Sequence, residues 1–320
     1  MSGARVLDAL PDDDEGTPAG GPVVYDARGL LELAIPPREY LLEKLLREKE
    51  TAMVHAWRGV GKTHAGLELA YAVASGGIFL RWSAPEPRRV LYLDGEMPGR
   101  TMQERMAAIL RASPQANTFD PGFLRFVCAD LQDTGIPNLS TPAGQDFIEP
   151  LLEDMSLVVI DSISTLARYG RENDTESGTP LQEWALRLRR QGLSVLLLHH
   201  DNKAGGQRGA SGREDILDLV LGLRRPSDYE PNQGARFEVH FEKARGLIGP
   251  DVEAFEAALV VTPEGGATWT MRNLEDTRLQ RAATMLRDGA KVVDVQAELG
   301  VSRATAYRYQ ATAREKGLLR

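Results

Sequence analysis

The sequence has one cysteine, which excludes an internal disulfide and a cysteine-based metal cage. That residue, Cys128, lies in the apolar run Phe126-Val127-Cys128, the setting of a buried strand thiol. No apolar run is long enough to span a bilayer, and the N-terminus has neither a basic start nor an apolar signal core. A soluble, cytoplasmic protein is expected. Internal repeats are absent as well. The chain also lacks an overall positive charge: 38 Lys/Arg against 46 Asp/Glu give −8, which argues against a protein coated in nucleic acid. The balance is uneven, however. Residues 278–320 hold nine Lys/Arg against four Asp/Glu, so the tail is basic and the remainder strongly acidic.

With 320 residues, 42% of them hydrophobic, the chain can bury one large α/β core and still carry a small extra domain. Residues 1–22 read as a flexible leader, because the stretch ALPDDDEGTPAGGPV is acidic, rich in Gly and Pro and without apolar period. From Tyr40, Leu41, Leu42, Leu45 and Leu46 fall at helical spacing and predict a short amphipathic helix. Strands and helices then alternate: AMVHAW and a helix from Lys62, RVLYLD and a helix over Met102–Leu110, then FLRFV, LVVID and VLLLHH. Such alternation predicts an α/β fold with a mostly parallel central sheet. After His200 comes a Gly-rich basic loop, and then ARFEVHFEKAR, FEAALVV and GATWTM, which read as antiparallel strands extending the sheet. The polar stretch Asn273–Thr277 reads as a linker between a domain at 23–272 and a second at 278–320.

The strongest chemical signal is Ala56-Trp57-Arg58-Gly59-Val60-Gly61-Lys62-Thr63, with His64 next, between an apolar strand and a helix. This is the context of a P-loop. Its glycines let successive backbone N–H groups and the helix N-terminus face phosphates, Lys62 adds a cation at the β/γ oxygens, and the Thr63 hydroxyl suits Mg²⁺. Ala56 replaces the usual opening glycine, and Trp57 and Arg58 are bulky for such a loop. Asp161, at the end of Leu157-Val158-Val159-Ile160-Asp161, is the expected outer ligand of the same metal. Because Ser162 follows it, no acidic neighbour is there to activate water. Glu96, in Leu91-Tyr92-Leu93-Asp94-Gly95-Glu96, takes that role from a strand expected to adjoin the P-loop strand; Asp94 is the alternative. His199 and His200 end VLLLHH on opposite faces, so one of the two serves as a γ-phosphate sensor.

Together the P-loop, YLDGE, LVVID, LLLHH with its Gly-rich RGAS loop, and FEKARG resemble the RecA-like ATPases, most closely the RepA-type hexameric replicative helicases of plasmids. The resemblance covers roughly Tyr40–Val261. It implies a RecA-like P-loop core using ATP and Mg²⁺, an active site shared between subunits of a hexameric ring, and Lys62, Thr63, Glu96, Asp161 and one histidine as one subunit's contribution. Lys243 and Arg245 match the Lys-x-Arg that would act on the neighbouring site, with Arg208 and Arg213 as competitors. Loops 168–180 and 201–213 would line a single-stranded DNA channel, with Lys203, Arg208 and Arg213 on phosphates.

Residues 281–320 read as three short helices: RAATMLRD ended by Gly289, VVDVQAEL ended by Gly300, and a third capped by Ser302. Leu299-Gly300-Val301-Ser302, with Val295, Ala306 and Tyr309 on inner faces, resembles a resolvase-type helix-turn-helix, which implies Arg303, Thr305 and Arg308 on duplex DNA. The expected function is a DNA-dependent ATP hydrolase, either a helicase-like motor or an ATP-switched DNA-binding regulator without unwinding activity.

Overall fold

The computed structural model describes residues 22–168, 179–201 and 215–319. The chain divides into two compact units, Met1–Pro37 and Arg38–Arg320. In the first, Asp26 caps the short helix α1 (Ala27–Glu32) by accepting from the Gly29 amide at 2.7 Å, and Leu30 and Leu31 are exposed. Apart from its last residue, the leader expected over 1–22 lies outside the described residues.

The second unit opens with a strand pair, β1 (Tyr40–Leu42) and β2 (Leu46–Arg47), where a helix was expected. Lys44 turns the chain with φ 59°, and the Glu43 amide donates to the Ser83 carbonyl at 2.8 Å. Leu41, Leu42, Leu45 and Leu46 are nonetheless all buried in the main core. So short a helix gains little to offset nucleation, and packing of the four leucines decides the backbone.

Nine strands form the main sheet in the order β13-β12-β11-β10-β3-β9-β8-β6-β7. In chain order they are β3 (Thr51–Ala56), β6 (Val90–Asp94), β7 (Leu124–Cys128), β8 (Leu157–Asp161), β9 (Ser194–His200), β10 (Leu219–Arg224), β11 (Arg236–Ala244), β12 (Phe255–Val261) and β13 (Ala267–Asn273). The six from β10 to β7 run parallel, and β11 to β13 add an antiparallel edge. A minor pair, β4 (Ile78–Phe79) and β5 (Trp82–Ser83), stands apart. The helices α2 (Lys62–Ser75), α3 (Gly99–Ala112), α4 (Pro142–Ile148), α5 (Ile163–Leu166) and α6 (Thr179–Arg190) make the crossovers. Because both sheet faces are covered, the parallel strands are apolar without alternation. In β8, Val159 enters one core cluster while Val158 and Ile160 enter the other.

Two further expectations are corrected. Strand β6 does not adjoin β3, because β9 and β8 lie between them. The helix after β3 packs over β9, β8 and β6, so the chain returns beyond its nearest neighbours. Nor is 273–277 a linker: β13 runs to Asn273 and α7 (Leu274–Arg287) starts at the next residue. The polar residues there are a cap, with the Asn273 side chain accepting from the Glu275 amide at 2.8 Å.

Helices α7, α8 (Val292–Leu299) and α9 (Arg303–Glu315) enclose a small core of Leu279, Ala282, Ala283, Val295, Leu299, Ala306, Tyr309 and Ala313. Gly300 ends α8 in the left-handed region at φ 60°, and the Ser302 hydroxyl caps α9 by accepting from the Thr305 amide at 3.1 Å. Salt bridges from α7 tie these helices to β11 and to the segment before it: Arg278 to Glu238 at 3.7 Å and Arg281 to Asp228 at 3.4 Å.

Candidate active site

The loop from Ala56 to Thr63 joins β3 to α2. Ala56 is fully buried in the last position of β3, in strand conformation, so the missing glycine costs nothing in backbone geometry. Glycine is needed further on, where Gly59 and Gly61 have φ of 77° and 120°. Trp57 and Arg58 are exposed, which is how the loop tolerates their bulk. Gly61 is the N-cap of α2 and offers no side chain to its first amides, so the donors at Lys62, Thr63 and His64 are left for an anion. The His64 ring packs edge-on to Trp269 at 6.1 Å and lies 3.3 Å from Glu68, with Trp269 donating to Glu68 at 2.7 Å.

Lys62 is buried and its Nζ lies 3.0 Å from Asp161 Oδ1. The other oxygen of Asp161 accepts from the Tyr92 hydroxyl at 2.8 Å. Burial, and then the charge of Asp161, pushes the Tyr92 phenol well above its ordinary value, so it stays a donor. Thr63 and Asp161 are hard oxygen ligands suited to Mg²⁺, which takes one or two protein ligands and completes its shell with phosphate and water. No cluster of three or more His, Cys, Asp or Glu that could cage a metal occurs among the described residues.

Glu96 reaches the site although β6 is not beside β3. Its Oε1 accepts from the Ser162 hydroxyl, and both its oxygens lie 3.0–3.1 Å from His200 Nε2. These contacts, that of His200 foremost, hold the carboxyl near a pKa of about 2 against a burial penalty. It is therefore an ionised acceptor, better suited to orienting a water molecule than to keeping its proton. Asp94, the alternative acid, is fully buried and accepts from the Met97 amide at 3.2 Å. Burial and then the charge of Asp161 raise it to about 6. Of the two histidines, His200 is the one joined to Glu96, and His199 lies beside His55 across the β3/β9 register. Cys128 is buried, with its thiol raised to about 11 by that burial.

Two features on the other flank of the P-loop were not read from the sequence. His55, one residue before Ala56, binds Asp201 at 2.7 Å and Glu242 at 3.0 Å, and Glu242 also takes Arg224 at 2.9 Å. Burial lowers the affinity of His55 for its proton, but the two carboxylates outweigh it and raise the pKa to about 9. Glycine at 222 makes room for this cluster, since a Cβ there would come within 2.5 Å of Glu242. In addition, Arg225 donates to the Gly59 carbonyl at 2.9 Å while stacked over Tyr229 at 4.3 Å. A His inside an apolar strand and a turn-like PSDYEPNQG segment carry no local pattern that would have flagged either feature.

Lys243 pairs with Val220 near the start of β10, and Arg245 binds Asp218 at 3.3 Å and the Asp215 carbonyl at 3.2 Å. Because β10 is parallel to β3 and Leu219 pairs with Ala52, this is the end of the sheet away from the P-loop. Strand rise puts it roughly 13 Å from the level of Ala56. Neither residue serves the phosphate site of its own chain. Lys203, Arg208 and Arg213 lie outside the described residues. On α9, Arg303, Ala304, Tyr307 and Arg308 are exposed on one side; Arg308 contacts Glu275 at 3.3 Å, and the Thr305 hydroxyl is engaged with Ser302 at 2.9 Å.

A mostly parallel sheet whose strand tips gather a P-loop, a buried Lys62–Asp161 pair and Glu96 defines a P-loop nucleotide-binding fold. The chain belongs to the AAA domain family, whose model matches residues 22–206. Among solved structures, a KaiC-like protein from the hyperthermophilic archaeon Pyrococcus horikoshii OT3 is similar, with 16% identity, a TM-score of 0.47, and 72% of this chain and 93% of that chain covered. Among the described residues, no helix is long and apolar enough to cross a membrane.

Proposed function

We propose that the protein hydrolyses ATP with Mg²⁺ and acts on DNA, its C-terminal helices holding duplex DNA. The observation that carries the hydrolase reading is the meeting of Lys62, Asp161, Glu96 and His200 from four separate elements at one edge of the sheet. In this reading, the amides at the start of α2 and Lys62 hold the phosphates, Thr63 and Asp161 hold the metal, and Glu96, oriented by Ser162 and His200, directs water in line with the γ-phosphate. Bound Mg²⁺ supplies charge neutralisation on the β- and γ-oxygens. The test is Glu96→Gln. Phosphate release should fall about 10²–10⁴-fold with nucleotide binding retained, and unchanged turnover would remove Glu96 from the reaction.

For DNA, the support is the basic tail and the exposed Arg303, Tyr307 and Arg308 on one side of α9. Substituting Arg303 and Arg308 should weaken duplex binding and flatten its salt dependence.

A ring-forming motor is the second reading, favoured by Arg245. Its side chain is 55% exposed at the end of the sheet remote from its own phosphates, as a residue acting on a neighbouring copy would be. Mixing Arg245→Ala with Lys62→Ala subunits should restore part of the turnover that each lacks alone. Strand displacement on a forked duplex separates motor from switch: a motor unwinds it with ATP, whereas a switch changes duplex affinity without unwinding.

A further inference from the structure

A triphosphate whose terminal group faces Lys62, Asp161 and Glu96 has its nucleoside end on the opposite flank of the P-loop, because β9, β8 and β6 lie to one side of β3 and β10 and β11 to the other. That flank is built by residues 225–235, between β10 and β11. They touch the P-loop twice. The Arg225 guanidinium is hydrogen-bonded to the Gly59 carbonyl at 2.9 Å, and a Cβ on Gly61 would sit 3.0 Å from the Ala235 methyl. The segment is tied together internally as well. Tyr229 donates through its hydroxyl to the Gly234 carbonyl at 3.0 Å and through its amide to the Pro226 carbonyl at 3.1 Å, and the Glu230 amide donates to Gln233 Oε1 at 3.1 Å. These bonds join its two ends into one compact turn.

Within this segment, Asp228 is held by two arginines. Arg236 of β11 binds it at 3.1 Å and Arg281 of α7 at 3.4 Å, and Arg281 continues to Glu298 of α8 at 3.2 Å. Contacts thus lead from the P-loop carbonyl through Arg225 to the Tyr229 ring, along the backbone to the neighbouring Asp228, and through Arg281 to the second of the three C-terminal helices.

We infer that Arg225 is a nucleotide-binding residue, and that residues 225–235 make occupancy of the P-loop felt by the C-terminal helices through Asp228 and Arg281. A guanidinium bonded to a neutral carbonyl gains more from phosphate oxygens, where the bond is charge-assisted and the fork can engage two acceptors. An incoming nucleotide therefore competes with Gly59 for Arg225, and Tyr229, stacked on the guanidinium, follows with Asp228. Arg225 thereby makes different contacts in the two states, the condition for one site to influence another. Asp228 and Arg281 are partly exposed, so separating them disturbs the fold little while cutting the connection. The use of this connection, changing the hold on duplex DNA, rests on the function proposed above.

The test uses the full chain with a non-hydrolysable ATP analogue and Mg²⁺. Arg225→Ala should weaken analogue binding, read by fluorescence titration, roughly tenfold or more, the worth of one charge-assisted hydrogen bond. In the unsubstituted protein, hydrogen exchange in α7 and α8 should change on adding the analogue. In Asp228→Ala and in Arg281→Ala the analogue should bind as before, but α7 and α8 should no longer respond. Unchanged affinity in Arg225→Ala overturns the binding role. No response of α7 and α8 in the unsubstituted protein, or a response that survives both joint substitutions, overturns the relay. Titrating a pool of random-sequence duplexes with and without the analogue decides the DNA reading separately. A chain that relays but binds no duplex loses the DNA assignment and keeps the relay, whereas one that binds duplex with silent α7 and α8 does the reverse.

Discussion

The two flanks of the P-loop are built from opposite materials. On the β9, β8 and β6 side, carboxylates converge: Asp161 and Asp94 are fully buried, and Glu96 is pinned by a histidine and a serine. On the β10 and β11 side, Arg224 and Arg225 stand at the strand tip, and His55 of β3 reaches across to Glu242 of β11 while its other ring nitrogen meets Asp201, the residue after β9. The acidic side has what is needed to hold a metal and steer water. The basic side has none of that chemistry, and contacts backbone and neighbouring loops instead. The proposed hydrolytic groups and the proposed sensing segment are thus separated by a single strand, and substitutions on either flank should give different signatures.

The largest effect is expected on the acidic flank. Asp161→Asn removes the metal-side carboxylate and leaves Lys62 buried without its partner, so turnover should fall about 10²–10³-fold, read as phosphate release across Mg²⁺ concentrations. Next is His200→Gln. The His200 contact is the main cause of the low Glu96 pKa, so its loss lets that pKa rise from about 2 toward its ordinary value. The acid limb of the pH–kcat profile should then move to higher pH, with kcat falling about 10–100-fold.

On the basic flank, His55→Gln should act through stability. A folded pKa of about 9, above the ordinary 6.5, gives stabilisation that is complete below pH 6.5 and is lost as pH rises through about 9. The difference in unfolding free energy between parent and variant should be at most about 3 kcal/mol near pH 6 and shrink toward pH 10, followed by denaturant titration. Smallest is Tyr309→Phe in the C-terminal unit, which loses only the hydroxyl bond to Glu275 at 3.1 Å and should cost about 0.5–1.5 kcal/mol. If Asp161→Asn and His55→Gln proved alike in both turnover and pH-dependent stability, the contrast between the flanks would fail.

The acidic flank was legible in the sequence because its acids sit at or just beyond the ends of apolar strands, Asp161 as the last residue of β8 and Glu96 two residues after β6. Local pattern carried the residues but not their arrangement. Glu96 meets Ser162 and His200 although its strand sits two places farther from β3 than expected, since strand order depends on where crossover helices pack. The basic flank was illegible for the same reason: His55, Asp201 and Glu242 are far apart in sequence and come together only when β11 is laid beside β10. Leu41 to Leu46 show the opposite failure, a helical period that a turn at Lys44 converts into paired strands. At the other end of the chain, Gly300 and Ser302 announced a turn and a cap, and both are where their chemistry put them.

The abrupt passage from Asn273 at the end of β13 to Leu274 at the start of α7 leaves the last three helices without slack. They are joined directly to the edge of the sheet, with no tether between. A duplex held by α9, as proposed above, would be presented to the phosphate site at one fixed distance and one rotational phase. Moving a recognition sequence along the helix by half a turn should matter far more than moving it by a whole one.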